Sequence, residues 1–141
     1  EKYPGIKIVM MGDMNDDPFD ESMVSYLHGK ETIAEMQPED YYNPYLSMIK
    51  AGYGSLCYQG TWCIYDQELV NYNLAVAPQG GLKIQPVTKG RGTWYDGVIF
   101  KRPFMTTQKG QYKGYPFRTF SNGAFVGGYS DHYPTFIVVG K

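Results

Sequence analysis

Two side chains suited to holding a metal ion and a water molecule follow the first apolar run of the chain. Asp13 and Asn15 come directly after Gly12 and are two residues apart, so one turn at a strand end can point both at the same spot. A carboxylate beside an amide suits Mg²⁺, because hard cations prefer oxygen ligands. Taken alone, this G-D-x-N sequence could equally be an ordinary turn.

Two more polar clusters lie far along the chain. Asp131 and His132 are neighbours within residues 130–134, immediately before an apolar segment. Asp66 is a lone acid in the strand-like residues 62–67, where a carboxylate needs a partner and a histidine N–H is a common one. Each cluster also has an ordinary interpretation, as a cap for the first and as an edge-strand surface charge for the second.

The elements that must position these residues begin with a buried strand, which the apolar run at residues 6–11 predicts. Pro18 predicts a helix over residues 18–28, with Phe19, Met23, Tyr26 and Leu27 on one face and Gly29 after its end. A second short helix is predicted after Pro44 and ends at Gly52 or Gly54.

The second half of the chain has strand signals and no helical stripe. Strands are predicted at residues 58–64, 67–72, 82–84, 93–100 and 133–139, the last as a core strand. Glycines alternate with aromatic residues over residues 103–129, which predicts an irregular wall of packed rings.

Length and charge set the broad class. The 141 residues predict one domain, and the net charge of -1 gives no general attraction to nucleic acid or anionic membranes. Nine of the ten charged residues from position 13 to 40 are acidic, and eight of the nine from 83 to 118 are basic. A metal-binding lobe beside a phosphate-binding lobe would give this distribution, and so would two solvated faces.

Cys57 and Cys63 are the two cysteines of the chain. They could pair across a turn, or both could be small buried thiols. Their spacing is not C-x-x-C, which argues against a zinc site.

The joint order of the motifs is more specific than any one of them. A G-D-x-N sequence is followed by W-x(3)-D-Q and then by S-D-H-x-P before the last strand. In this order the chain resembles the endonuclease/exonuclease/phosphatase family, the DNase I-like metal-dependent phosphohydrolases. The resemblance runs over residues 6–139 and covers the C-terminal half of the family's domain.

The resemblance implies a role for each polar residue. Asp13 would orient or activate the attacking water and contribute to the metal site, and Asn15 would hold the phosphate. Asp131 would be a metal-site carboxylate, and His132 would contact the scissile phosphate. Asp66 would orient His132. The implied catalytic residues are thus Asp13, Asn15, His132 and Asp66.

The resemblance also implies an α+β fold, half of a four-layer α/β/β/α sandwich with a mostly antiparallel or mixed sheet and two short helices. Residues 1–141 would be the C-terminal portion of the domain, contributing one sheet, with the N-terminal half absent. We expect Mg²⁺ or Mn²⁺ to bind weakly, because the family's main glutamate ligand comes from that half. We also expect a second copy to cover the exposed sheet face as a homodimer.

The implied function is metal-dependent hydrolysis of a phosphodiester or phosphomonoester, impaired in this fragment. The substrate would be a small molecule, a lipid-linked phosphoester or a nucleic acid, and the basic run at 83–118 would contact it. The alternative is a non-catalytic fragment that acts as a binding or structural module. A bacterial cytoplasmic parent and an exported one both fit, and no apolar run is long enough to span a membrane.

Overall fold

The computed structural model describes residues 3–90 and 92–141, with the backbone alone at residues 88 and 89. Short strands joined by turns dominate these residues, so the predicted α+β class is confirmed. The strands are β1 (Val9–Asp13), β2 (Gly29–Lys30), β3 (Tyr41–Tyr42), β4 (Leu56–Tyr58), β5 (Thr61–Cys63), β6 (Asp66–Asn71), β7 (Lys83–Gln85), β8 (Thr88–Gly90), β9 (Thr93–Tyr95), β10 (Gly97–Ile99), β11 (Phe120–Ser121), β12 (Ala124–Phe125) and β13 (Thr135–Gly140).

The helical segments are short. The α-helices are α1 (Tyr45–Lys50) and α2 (Tyr72–Ala75), a π-helical turn spans Ser22–Tyr26, and 3₁₀ turns span Ile33–Glu35 and Pro103–Met105. Within residues 3–90 and 92–141, no helix has the length and apolarity that crossing a bilayer requires.

Two sheets form the body of the molecule. The first has the strand order β1-β6-β3-β2, and the second has the order β10-β13-β7. Among the described strands, every pair is antiparallel except β2 with β3. The expectation of a single sheet is therefore wrong: β13 pairs with strands of the second half of the chain and lies against β6 of the first sheet.

The two sheets meet in an apolar core. Val70 of β6 belongs to the same cluster as Ile84 of β7, and Ile137 and Val139 of β13 pack against it. These two β13 residues alternate with the exposed Phe136 and Val138, so β13 has one core face and one outer face. The predicted core strand at the chain's end is thus half-exposed.

Strand β1 forms where the opening apolar run predicts a strand, but it is not buried. Met11 is 70% exposed and Val9 is 40% exposed. The reason is its position at the edge of the first sheet, where β6 is its one neighbour among the described strands.

The first predicted helix is wrong at its start, because residues 17–20 close a turn instead. The Asp17 N–H donates to the Asp20 side chain at 2.7 Å, and the Asp20 N–H donates back to the Asp17 carbonyl. Of the predicted apolar face, Met23 is buried while Phe19 and Tyr26 are exposed. The second predicted helix is confirmed as α1, and Gly52 follows it with a φ of +85°.

Two predicted strands are each divided in two. Residues 58–64 belong to the β4–β5 hairpin, which turns at Gln59 and Gly60 because both adopt positive φ, the conformation that two-residue hairpin turns require. Residues 93–100 divide at Asp96, which accepts a hydrogen bond from the Tyr42 hydroxyl at 2.9 Å. The predicted strands at 67–72 and 82–84 correspond to β6 and β7, and α2 begins at Tyr72, which was predicted to end the former.

Candidate active site

The register of β1 on β6 brings two of the predicted acids together. Asp13, the last residue of β1, lies directly opposite Asp66, the first residue of β6. Residues opposite each other in an antiparallel pair project from the same face of the sheet. The Met14 N–H extends this pairing by donating to the Tyr65 carbonyl at 2.8 Å. The backbone alone therefore points both carboxylates to one side of the sheet rim.

The turn after β1 explains the G-D-x-N spacing. Gly12 has a φ of +149°, which a side chain disfavours, and Asn15 has a φ of +54°, which asparagine tolerates better than most residues. The Asn15 N–H donates to Asp13 Oδ1 at 2.9 Å, forming an Asx turn. Asp13 and Asn15 are both exposed, so both polar side chains reach solvent at the rim.

The two acids that follow anchor this turn. Asp17 Oδ1 accepts the Ile64 N–H at 2.7 Å, and Asp16 Oδ2 accepts the Ser22 hydroxyl at 2.5 Å. The buried Gln67 side chain donates to the Asp16 carbonyl at 2.7 Å. Asp16 and Asp17 therefore fix the loop that carries Asp13 against the start of β6.

His132 comes to the same rim from the loop before β13. Its Nδ1 lies 2.8 Å from Asp66 Oδ2 and 3.1 Å from Oδ1. The two side chains are 21% and 22% exposed, so the pair is partly shielded from water. A carboxylate only accepts hydrogen bonds, so the contact places a proton on Nδ1 and directs Nε2 away from Asp66.

Sequence reasoning missed the third member of this arrangement, Ser55. Its hydroxyl donates to Asp66 Oδ2 at 2.7 Å, and its carbonyl accepts the Tyr133 N–H at 2.7 Å. Ser55 is fully buried and so holds both the acid and the residue after His132. A lone serine before a strand carries no signal of this role, because both partners are remote in sequence.

Asp13, Asp66 and His132 form one group whose possible ligand atoms all lie within 4.8 Å of one another. Both Asp66 oxygens already contact His132, and Oδ2 also accepts from Ser55. Asp13 therefore offers the more available carboxylate, with the Asn15 amide two residues on. Asp131 is exposed and lies outside this group. Carboxylate and amide oxygens such as those of Asp13 and Asn15 are the ligand type that a hard divalent cation prefers.

A second acid of β6, Glu68, was also missed. It projects from the same face as Asp66 but is buried, and it accepts hydrogen bonds from the Tyr45 hydroxyl and, at 3.0 Å, from Thr135. Burial raises the pKa of the Glu68 carboxyl, and its two hydroxyl donors partly oppose that rise. Burial likewise raises the pKa of Tyr45. Glu68 thus joins α1, β6 and β13 beneath the rim.

Packed aromatic rings support the loop that carries His132. Tyr133 is buried and stacks on Trp62 with ring centroids 6.4 Å apart, and its hydroxyl lies 2.9 Å from the Thr106 hydroxyl. Lys101 Nζ lies 4.9 Å and 5.1 Å from these two rings, and desolvation lowers its pKa. The Lys101 ammonium also donates to the Gly114 carbonyl at 2.8 Å. Trp62 is therefore a packing residue. Lys101, one residue of the basic run at 83–118, already binds groups of the protein itself.

The two cysteines are buried free thiols. In the β4–β5 hairpin, Cys57 lies opposite Trp62 and Cys63 lies opposite Leu56. Neighbouring strand positions alternate between faces, so the two thiols project to opposite sides of the hairpin. The hairpin register thus explains why they do not pair.

Comparison with known proteins identifies the class. The chain matches the Endonuclease/Exonuclease/phosphatase family over residues 1–141, and it therefore belongs to that family. The resemblance drawn from the three motifs is confirmed, and the family is one of phosphoesterases. No curated protein and no solved structure matches the chain significantly.

Proposed function

We propose that this protein hydrolyses a phosphoester in a reaction that depends on Mg²⁺ or Mn²⁺. One observation carries the proposal: three segments remote in sequence place the polar atoms of Asp13, Asp66 and His132 within 4.8 Å of one another. A cluster of this kind at an accessible sheet rim, in a chain of a phosphoesterase family, supports chemistry at phosphorus.

Asp13 and Asn15 are proposed to act on the attacking water and the phosphate that it attacks. The Asp13 carboxylate is exposed, and one of its oxygens is fixed by the Asn15 N–H, so the other can accept a proton from a water molecule and orient it for in-line attack. The Asn15 side-chain amide can donate to a phosphoryl oxygen.

His132 and Asp66 act on the phosphate. With Nδ1 held by Asp66, His132 presents Nε2 to the substrate, and its protonated form donates a hydrogen bond to a phosphoryl oxygen as charge builds up there. Asp66 keeps the ring oriented, and Ser55 in turn fixes Asp66. The preorganised donor costs no rearrangement at the moment of reaction.

Asp13 and Asp131 are the carboxylates proposed to hold the cation. The cation, when bound, supplies charge neutralisation at the phosphoryl oxygens. Asp131→Asn should raise the Mg²⁺ concentration needed for half-maximal activity, while the rate at saturating Mg²⁺ should stay near that of the unsubstituted chain. An unchanged Mg²⁺ requirement would remove Asp131 from the site.

The test is hydrolysis of a panel of phosphomonoesters and phosphodiesters with and without added Mg²⁺ or Mn²⁺. The panel contains small-molecule, lipid-linked and nucleic-acid substrates. We expect cation-dependent turnover that Asp13→Asn reduces by a factor on the order of 10²–10⁴. Glu21→Gln, a change at an exposed acid outside the cluster, is the matched control. Turnover absent from parent and variant alike would favour the alternative, a non-catalytic binding or structural module.

We also propose that a second copy of the chain covers exposed apolar side chains of the sheets. Met11 of β1 is 70% exposed and Phe136 of β13 is 41% exposed, and a second copy packed on either strand would remove apolar surface from water. Sedimentation velocity should therefore show concentration-dependent dimers, weakened by Met11→Lys. A stable monomer at all concentrations would contradict this part of the proposal.

A further inference from the structure

A cleft of about 730 Å³ lies between the β4–β5 hairpin and residues 107–126. Its volume is within the range of small-molecule binding sites. None of its lining residues belongs to the cluster at the sheet rim, so it is a separate feature of the surface.

Exposed aromatic side chains gather around this cleft. Tyr58 is 58% exposed, Tyr112 is 52% exposed and Phe120 is 59% exposed, and all three line it. Single exposed rings are common on protein surfaces, but several around one concavity mark a place where a ligand covers them. The cleft therefore has the apolar surface of a binding site.

The polar lining selects the kind of ligand. It is made of amide and hydroxyl side chains together with Arg118, and no carboxylate is among the described lining residues. The amides are Gln59, Gln111 and Asn122, each of which both donates and accepts hydrogen bonds. Such a set matches a ligand with several hydroxyl groups, which also donate and accept hydrogen bonds.

Ring geometry favours a ligand that stacks by one face. Tyr112 and Tyr115 meet at 49° with centroids 5.8 Å apart, so this contact between two described lining rings is tilted and is not a parallel stack. A flat nucleobase gains most from stacking on parallel faces, whereas a pyranose lays its C–H face on one ring and turns its hydroxyls outward to amides. Tilted rings with amide side chains beside them fit the pyranose better than the nucleobase.

The cleft is joined to the catalytic rim by ring contacts. Tyr115 in its wall meets Trp62 edge-on with centroids 5.6 Å apart, and Trp62 stacks on Tyr133, the residue after His132. A ligand held by Tyr115 is therefore bound by the same packed unit that supports His132.

We propose that this cleft binds a sugar ring, and that the substrate is a sugar-linked phosphoester whose pyranose occupies it. The binding part stands by itself, and the substrate part rests on the proposed function. The chemistry to be recognised is a ring with one apolar face and several hydroxyls, attached to a phosphate that reaches His132.

The first experiment measures binding to the whole chain without metal, by calorimetry and by Trp fluorescence, with maltose, cellobiose and lactose as probes. We expect saturable binding of at least one disaccharide, weakened about tenfold or more by Tyr112→Ala and by Phe120→Ala. Tyr112→Phe, which keeps the ring, should retain most of the affinity. Tyr26→Ala is the matched control, because Tyr26 is 78% exposed and lies outside the cleft.

Several results would overturn the proposal. They are binding of adenosine or uridine without binding of the sugars, no saturable sugar binding, and an equal loss in Tyr26→Ala. Phe120 and Tyr112 are more than half exposed, so their substitutions should leave the melting temperature nearly unchanged.

A second experiment separates this inference from the proposed function. The kcat/KM of a sugar-linked phosphodiester should fall about tenfold in Tyr112→Ala, while that of p-nitrophenyl phosphate stays the same. Equal losses on both substrates would overturn the substrate part. A chain that binds sugar but hydrolyses nothing refutes the proposed function and leaves the binding site standing.

Discussion

Strand β6 carries two acids on one face, and they have opposite surroundings. Asp66 begins the strand at the sheet rim, is 22% exposed, and contacts an imidazole and a hydroxyl. Glu68, two residues further on, is buried and contacts the hydroxyls of Tyr45 and Thr135. The same chemical group is thus placed once where it orients an imidazole at the rim and once where it holds elements together.

The difference shows that depth along a strand separates a candidate catalytic acid from a structural one. At the rim, water and the His132 imidazole both reach the Asp66 carboxylate. One step inside, burial disfavours the charged form and raises the pKa of Glu68. Substitutions at the two positions should therefore affect different properties of the protein.

The largest expected effect is kinetic and belongs to Asp66. Asp66→Asn keeps the size of the side chain but removes the charge that fixes the tautomer and orientation of His132, so kcat should fall by a factor on the order of 10²–10⁴. Glu68→Gln, its matched partner on the same face, should change kcat by less than about threefold. The measurement is steady-state kinetics on the best substrate of the panel. Comparable losses in both variants would end the distinction between the two acids.

The next effect concerns stability and belongs to Glu68. Glu68→Ala removes the shared acceptor of Tyr45 and Thr135 and leaves a cavity between α1, β6 and β13, so it should cost about 2–3 kcal/mol in the free energy of unfolding. Urea denaturation measures this. Asp66→Ala, at the more exposed position, should lower the free energy of unfolding by less than Glu68→Ala does. A larger loss in Asp66→Ala would contradict the assignment of Glu68 as the structural acid.

A pH effect should follow from the raised pKa of Glu68. The folded state binds this proton more tightly than the unfolded chain, whose glutamate has its usual value of 4.5. The stabilisation is therefore full below that value and is lost as the pH rises through the folded-state value, with a slope of at most about 1.4 kcal/mol per pH unit. Unfolding curves between the two values should show this slope in the parent chain and not in Glu68→Gln. An identical slope in both would assign it to another group.

The smallest effect concerns Ser55. Ser55→Ala removes one hydrogen bond to Asp66, so the free energy of unfolding should fall by about 1 kcal/mol and kcat by about tenfold or less. Ser55→Thr keeps the hydroxyl, so its kcat should be close to that of the unsubstituted chain. Its free energy of unfolding should stay lower, because the added methyl enters a fully buried site. A kcat unaffected by Ser55→Ala would show that Asp66 needs no support from this side.

The parts of the site predictable from sequence were those fixed by local chemistry. The residue types of Gly12, Asp13 and Asn15 predict the turn that the structure shows. A lone acid in a strand, such as Asp66, predicts a hydrogen-bonding partner. The family resemblance supplied His132 as that partner, and the structure brings the two within 2.8 Å. Their catalytic roles stay predictions until the variants are measured.

The parts that could not be predicted depend on contacts between remote segments. Ser55 and Glu68 carry no motif, since their functions come from partners 11 and 67 residues away. The burial of β1 was overestimated because an apolar run does not reveal how many neighbours its strand has. The helix at residues 18–28 was predicted too long, because residues 17–20 close a turn through the hydrogen bond from the Asp20 N–H to the Asp17 carbonyl, and the π-helical turn spans only Ser22–Tyr26.

The double contact of Ser55 links the position of the His132 loop to one backbone amide. Its carbonyl accepts the Tyr133 N–H while its hydroxyl holds Asp66, so the loop bearing His132 cannot swing out without exposing that amide to solvent. Hydrogen–deuterium exchange at Tyr133 therefore reports how often the loop opens. If that opening is a local fluctuation, mild denaturant would separate the His132 ring from Asp66 before the two sheets separate.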